Sequence, residues 1–144
     1  MFYAMIRYAW MLYKGIDIEQ DKREAANYFK KAADGGNLQA MSQYACMHFN
    51  GNGIPIDKKE AVNYFKMAAD KGHKKSSYNY ADILYNGNII PMDKENAAKF
   101  YKQAADKGHK SAMRSYAKML NQGDGIPVNK EEAARYFKTA EEAL

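Results

Sequence analysis

An all-α fold, an α/α solenoid of four stacked helical hairpins, is what this 144-residue sequence predicts. Three observations carry that expectation. Pro55, Pro91 and Pro127 stand 36 residues apart, each closing a similar phrase: Gly51-Asn52-Gly53-Ile54, Gly87-Asn88-Ile89-Ile90 and Gly123-Asp124-Gly125-Ile126. A second phrase, Glu60-Ala61 through Tyr64-Phe65-Lys66 to Ala68-Ala69-Asp70-Lys71-Gly72, returns from Ala97 to Gly108 and, more worn, from Glu24 to Gly36. Between the phrases, apolar residues recur at helical spacing. Self-similarity at a fixed period of roughly 20–50 residues marks an array in which each unit buries its apolar face against its neighbours. Four periods, approximately 1–36, 37–72, 73–108 and 109–144, fill the chain as a single repeat domain, read as a segment of a longer protein.

The unit from Asn37 to Gly72 shows why each element forms. Ala40, Met41, Tyr44, Ala45, Met47 and His48 make one apolar helical stripe. Asn37 is placed to cap the first turn, accepting a bond from an otherwise unpaired backbone N–H. Gly51 suits the left-handed position after the helix, and Pro55 forces Ile54 out of helical conformation. Asp57 reopens helix, and Glu60 three residues later completes the pattern of a capping box. Asp21 with Glu24, Asp93 with Asn96 and Asn129 with Glu132 repeat it. The predicted helices are 2–14, 22–35, 38–50, 58–71, 74–86, 94–107, 110–122 and 130–143. The apolar opening from Met1 to Leu12 reads as the first of these rather than as a leader or anchor. Ala4, Tyr8, Ala9 and Leu12 stand one period before Ala40, Tyr44, Ala45 and His48, and Arg7 interrupts the run.

The net charge is +5, and the basic residues are spread over every repeat. Neither nucleic acid nor membrane is therefore an expected partner. The single cysteine, Cys46, cannot form an intrachain disulfide and fits a reducing, cytoplasmic location.

Ala112-x-x-x-Tyr116-Ala117-x-x-Leu120-x-x-Gly123-x-Gly125-Ile126, followed by Ala133-x-x-Tyr136-Phe137-x-x-Ala140, resembles the Sel-1-like repeat (SLR), a relative of the tetratricopeptide repeat. The pattern recurs four times. Asp17 and Ile89 stand where the second loop glycine belongs, and the last unit lacks the closing glycine. The resemblance implies eight antiparallel helices in a right-handed superhelix. It also implies a non-catalytic scaffold or adaptor, as in signalling proteins, that grips a protein or peptide on its concave face. One secreted branch of the family, linked to β-lactam-like compounds, staples each repeat with a cysteine pair that this chain lacks.

Tests for chemistry point the same way. His73 and His109 follow equivalent glycines at helix starts and read as caps or surface residues. His48 falls on the apolar stripe and reads as a hydrogen-bonded core residue. Cys46 lies two positions from it, about 200° around the helix, too far for a catalytic dyad. No Cys/His metal spacing occurs, and the glycine-rich loops lack phosphate-loop spacing. Lysines 30, 31, 66, 102 and 138 read as a solvated outer face. No catalytic residue, metal or cofactor is expected.

Positions that repeat serve packing, and positions that change along the array are free for recognition. One stripe on each first helix changes: Tyr3, Arg7, Trp10, Lys14; Gln39, Gln43, Cys46, Asn50; Lys75, Asn79, Asp82, Asn86; Ser111, Ser115, Lys118, Gln122. It is rich in amide side chains able to bond a peptide backbone. The candidate partner-binding residues on the concave face are Arg7, Trp10, Lys14, Gln39, Gln43, Asn50, Lys75, Asn79, Asp82, Asn86, Ser115, Lys118 and Gln122, with Trp10 as an exposed anchor. An oligomerisation segment is the alternative. It would stack through an uncovered N-terminal face of Phe2, Met5, Ile6, Met11 and Tyr13. A small-molecule-binding or hydrolytic reading finds neither cysteine pairs nor a nucleophile–base pair to support it.

Overall fold

A computed structural model describes residues 2–143. Met1 and Leu144, which belong to the expected first and last repeats, lie outside the described residues. Eight helices follow in order: α1 (Tyr3–Lys14), α2 (Lys22–Asp34), α3 (Leu38–Asn50), α4 (Lys58–Asp70), α5 (Lys74–Asn86), α6 (Lys94–Asp106), α7 (Lys110–Gln122) and α8 (Lys130–Glu142). No strand occurs among the described residues. Every helix boundary falls within one residue of the sequence expectation.

The chain forms two compact units, Met1–Lys71 and Gly72–Leu144, each of two hairpins. In the first, α1 pairs with α2, and α3 packs on both α2 and α4; in the second, α5 pairs with α6, and α7 packs on both α6 and α8. The alanine rows allow this approach: Ala25, Ala32, Ala45, Ala61 and Ala68 are wholly buried in one unit, and Ala81, Ala97, Ala104 and Ala117 in the other. Aromatic rings fill the remaining space edge-to-face, as with Tyr44 against Tyr64 at 4.9 Å and Tyr116 against Tyr136 at 5.1 Å.

The caps confirm the local signals and correct one of them. Asp21, Asp57, Asp93 and Asn129 each accept a bond from the backbone N–H three residues on. The reciprocal arm of a capping box does not form, because the N–H of each cap is already committed. Those four N–H groups donate to the carbonyls of Leu12, His48, Leu84 and Leu120 at 2.8–2.9 Å, tying each second helix to the end of the first. Gly51 takes φ +67 with Ile56 folded over it, as expected of a left-handed helix end. Asp17 also takes a left-handed φ of 63.

Hydrogen bonds between neighbouring repeats recur within each unit. Tyr64 donates to Asp34 and Tyr136 to Asp106, each at 2.6 Å. Lys22 and Tyr13 meet on Asn52, and Lys94 and Tyr85 meet on Asp124. The outer lysines form i,i+4 pairs, Lys30 with Asp34, Lys66 with Asp70 and Lys102 with Asp106, all well exposed.

All three histidines have structural roles. His48 joins the Tyr44 hydroxyl at 2.8 Å and the Pro55 carbonyl at 3.2 Å. The carbonyl only accepts, so Nδ1 carries the proton and Nε2 accepts from the tyrosine. His73 and His109 are N-caps whose Nδ1 accepts from the N–H of Ser76 and Ala112, the role Asn37 fills for Ala40. That role requires an unprotonated Nδ1. Burial foremost, then the charge of Lys74 and Lys75, lowers both pKa values below the usual histidine range, with Lys107 adding to the effect at His73 and Asp82 opposing it at His109. The unfolded chain therefore binds protons first as pH falls. The stability these caps supply is complete above about pH 6.5 and is lost as pH drops below it. Thermal melts from pH 7.5 to 5.5 should show a loss that the double change His73→Asn, His109→Asn flattens; an equal loss in both proteins would exclude the cap mechanism.

Candidate functional site

None of the thirteen candidate residues is buried, so the stripe does face away from the core. In the first unit Arg7, Lys14, Gln39 and Asn50 are exposed and Gln43 is half-buried. Trp10 is not the free anchor expected. It is half-buried, edge-on to Phe29 at 5.1 Å and to Tyr13 at 5.5 Å, with the Lys14 ammonium 5.1 Å above its ring. Its indole is held by packing, which leaves only part of its surface available.

In the second unit Lys75, Asn86, Lys118 and Gln122 are exposed, and Asn79, Asp82 and Ser115 are half-buried. Asn79, Asp82 and Asn86 share one face of α5 at i, i+3 and i+7, and Ser115, Lys118 and Gln122 repeat that spacing on α7. The latter three line a cavity of about 250 Å³ together with Tyr85, Tyr101, Met119 and Asp124. Two aromatic rings and a thioether thus form apolar walls, and amide, hydroxyl and ammonium groups supply polar contacts.

Beside this cavity sits a constellation that comparison of the first helices alone does not reveal. Asp82 accepts a hydrogen bond from Tyr101, and the Tyr78 hydroxyl lies near enough to act on it electrostatically. The Tyr78 ring lies 5.8 Å from the Tyr101 ring, and the His109 ring stacks on Tyr78 at 4.4 Å. Burial pushes the Asp82 carboxyl above the usual carboxylate range, opposed by the hydroxyls of Tyr101 and Tyr78. Burial likewise pushes Tyr101 up, reinforced by the bond to Asp82.

The signal for this site lies in the second helices. The other three repeats read Tyr28-Phe29, Tyr64-Phe65 and Tyr136-Phe137, whereas the third reads Phe100-Tyr101. The reversal turns a hydroxyl toward α5 in the one repeat that carries an aspartate at the equivalent of Trp10. The Trp10–Phe29 ring contact of the first unit is replaced in the second by a hydrogen bond between Tyr101 and Asp82.

Among the described residues, no group of acidic, His or Cys side chains is disposed to hold a metal ion. No helix among them is long and apolar enough to cross a membrane.

The sequence model of the Sel1 repeat matches residues 2–37, 38–73, 74–109 and 110–143, one residue out of step with the periods read from the sequence. No curated protein matches the chain significantly. Solved structures do. A protective antigen present in uropathogenic Escherichia coli strains, displaying an SLR fold, aligns with a TM-score of 0.91 and 26% identity, over 97% of this chain and 30% of that one. A Sel1 repeat protein from Oxalobacter formigenes aligns with a TM-score of 0.90 and 23% identity, over 99% of this chain and 58% of that one. Cysteine-rich protein B of Helicobacter pylori aligns with a TM-score of 0.67 and 19% identity, over 86% of this chain and 89% of that one. The chain spans about a third and somewhat more than half of the first two of these proteins. Sel1 repeat proteins are generally protein-interaction scaffolds, and their solenoid fold is generally non-catalytic. With four consecutive repeats accounting for residues 2–143, the chain belongs to the Sel1 repeat family.

Proposed function

We propose that this chain is a non-catalytic scaffold or adaptor module that holds an extended segment of a protein partner along its first-helix stripe. One observation carries the reading: the positions that vary from repeat to repeat all remain at least partly exposed, and three of them line a cavity walled by tyrosines. An extended peptide leaves its backbone N–H and C=O groups unpaired, and the amides of Asn79 and Asn86 can satisfy both kinds. A reducing compartment suits the lone, half-buried Cys46.

Replacing Asn79 and Asn86 together by Ala should weaken capture of the partner by about tenfold or more, with the circular dichroism spectrum unchanged. Reversing the outer-face charges with Lys66→Glu and Lys102→Glu should leave capture intact. Capture that survives the first pair of changes and fails on the second would place the binding surface on the outer face.

A second reading, self-association through the N-terminal face, draws on Tyr3 and Tyr8, which stay 76% and 42% exposed. Phe2 weakens it, since its ring lies over Gly35 rather than projecting away.

A further inference from the structure

We infer that the Asp82 site is a receptor for a basic side chain, an arginine of the partner segment, which docks on the Asp82 carboxylate against the rings of Tyr101 and Tyr78. This deepens the stripe-binding reading and rests on it.

The first ground is an acid without a counter-ion. No ion pair reaches Asp82 among the described residues, and His109 is the one charged or titratable group other than tyrosine that acts on it appreciably. His109 is itself held toward its neutral form by burial and by its cap to Ala112. Asp124, by contrast, is already neutralised by Lys94 at 2.7 Å. A carboxylate offers about four acceptor sites, and the Tyr101 hydroxyl occupies one. The others suit the forked donors of a guanidinium, and a cation there would offset the cost of keeping this carboxylate charged while half-buried.

The second ground is shape. Tyr101 belongs to both features, its hydroxyl on Asp82 and its side chain in the cavity wall, which Ser115 also lines. A planar cation placed at Asp82 therefore lies beside the Tyr101 ring, and aromatic rings attract guanidinium groups beyond simple charge pairing. The third ground is register. Asp82 lies between Asn79 and Asn86 on α5, so an arginine anchored there leaves its flanking backbone within reach of both amides.

The test uses the full chain and N-acetyl-arginine amide as probe, followed by ¹⁵N-resolved NMR. Saturable shifts should appear at the amides of Asp82 and Tyr101, and Asp82→Asn should weaken the interaction by about tenfold while leaving the rest of the spectrum in place. N-acetyl-glutamate amide should not shift those signals. Three results would each overturn the inference: no saturable shift with the arginine probe, an undiminished shift in Asp82→Asn, or equal binding of the glutamate probe. If arginine fails here while Asn79→Ala, Asn86→Ala still weakens partner capture, only this inference falls. If that double change also leaves capture intact, the stripe reading falls with it.

Discussion

Phe65→Ala is expected to destabilise the protein by about 3–5 kcal/mol, and Tyr44→Ala by a similar amount. Phe65 is 3% and Tyr44 7% exposed, so truncation of either leaves a void among alanines that have no side chain to move into it. Tyr44 carries a further cost. Its hydroxyl donates to His48 Nε2, and its loss strands that nitrogen in a half-buried position. Gln43, adjacent in sequence and half-buried on the stripe, should tolerate Ala within roughly 0.5 kcal/mol. Urea unfolding of the three variants measures all of this. A Gln43→Ala cost equal to that of Tyr44→Ala would mean that the two faces of α3 have been exchanged.

Ala104→Leu should cost about 1–3 kcal/mol for the opposite reason. Ala104 is wholly buried on α6, at a place where small residues set the spacing between helices. Added methylenes there must push helices apart or adopt poor rotamers. Ala134 on α8 is exposed, although its counterparts Ala26, Val62 and Ala98 are buried, and Ala134→Leu should be nearly neutral. Thermal melts of the two variants would expose an error if both were tolerated alike, since the alanine rows would then not be limiting helix approach.

The fold was legible because its signals are local and repeated four times. Asn37, Asp57 and Gly51 act within a turn of their own positions, and the 36-residue beat shows which neighbours each helix must meet. The reciprocal capping arms were not legible. The donors that would receive them are taken by carbonyls nine residues upstream, a bond set by how the hairpin closes. The exposure of the stripe could be read from helical periodicity, whereas the packing of Trp10 on Phe29 depends on which way α2 turns its aromatic pair. The same geometry hid the Asp82 site. Phe100-Tyr101 departs visibly from its counterparts, yet only the direction of the Tyr101 hydroxyl connects that reversal with an aspartate on another helix.

Site-specific photo-crosslinking in the native cell tests the partner-binding surface most directly. A benzophenone side chain placed at Asn79, Asn86 or Lys118 should trap one and the same partner, and the same group at Lys66 or Lys102 should not. A partner trapped from the outer-face positions and absent from the stripe, or stripe positions that trap only other copies of this chain, would contradict the assignment of the first-helix stripe as the binding surface.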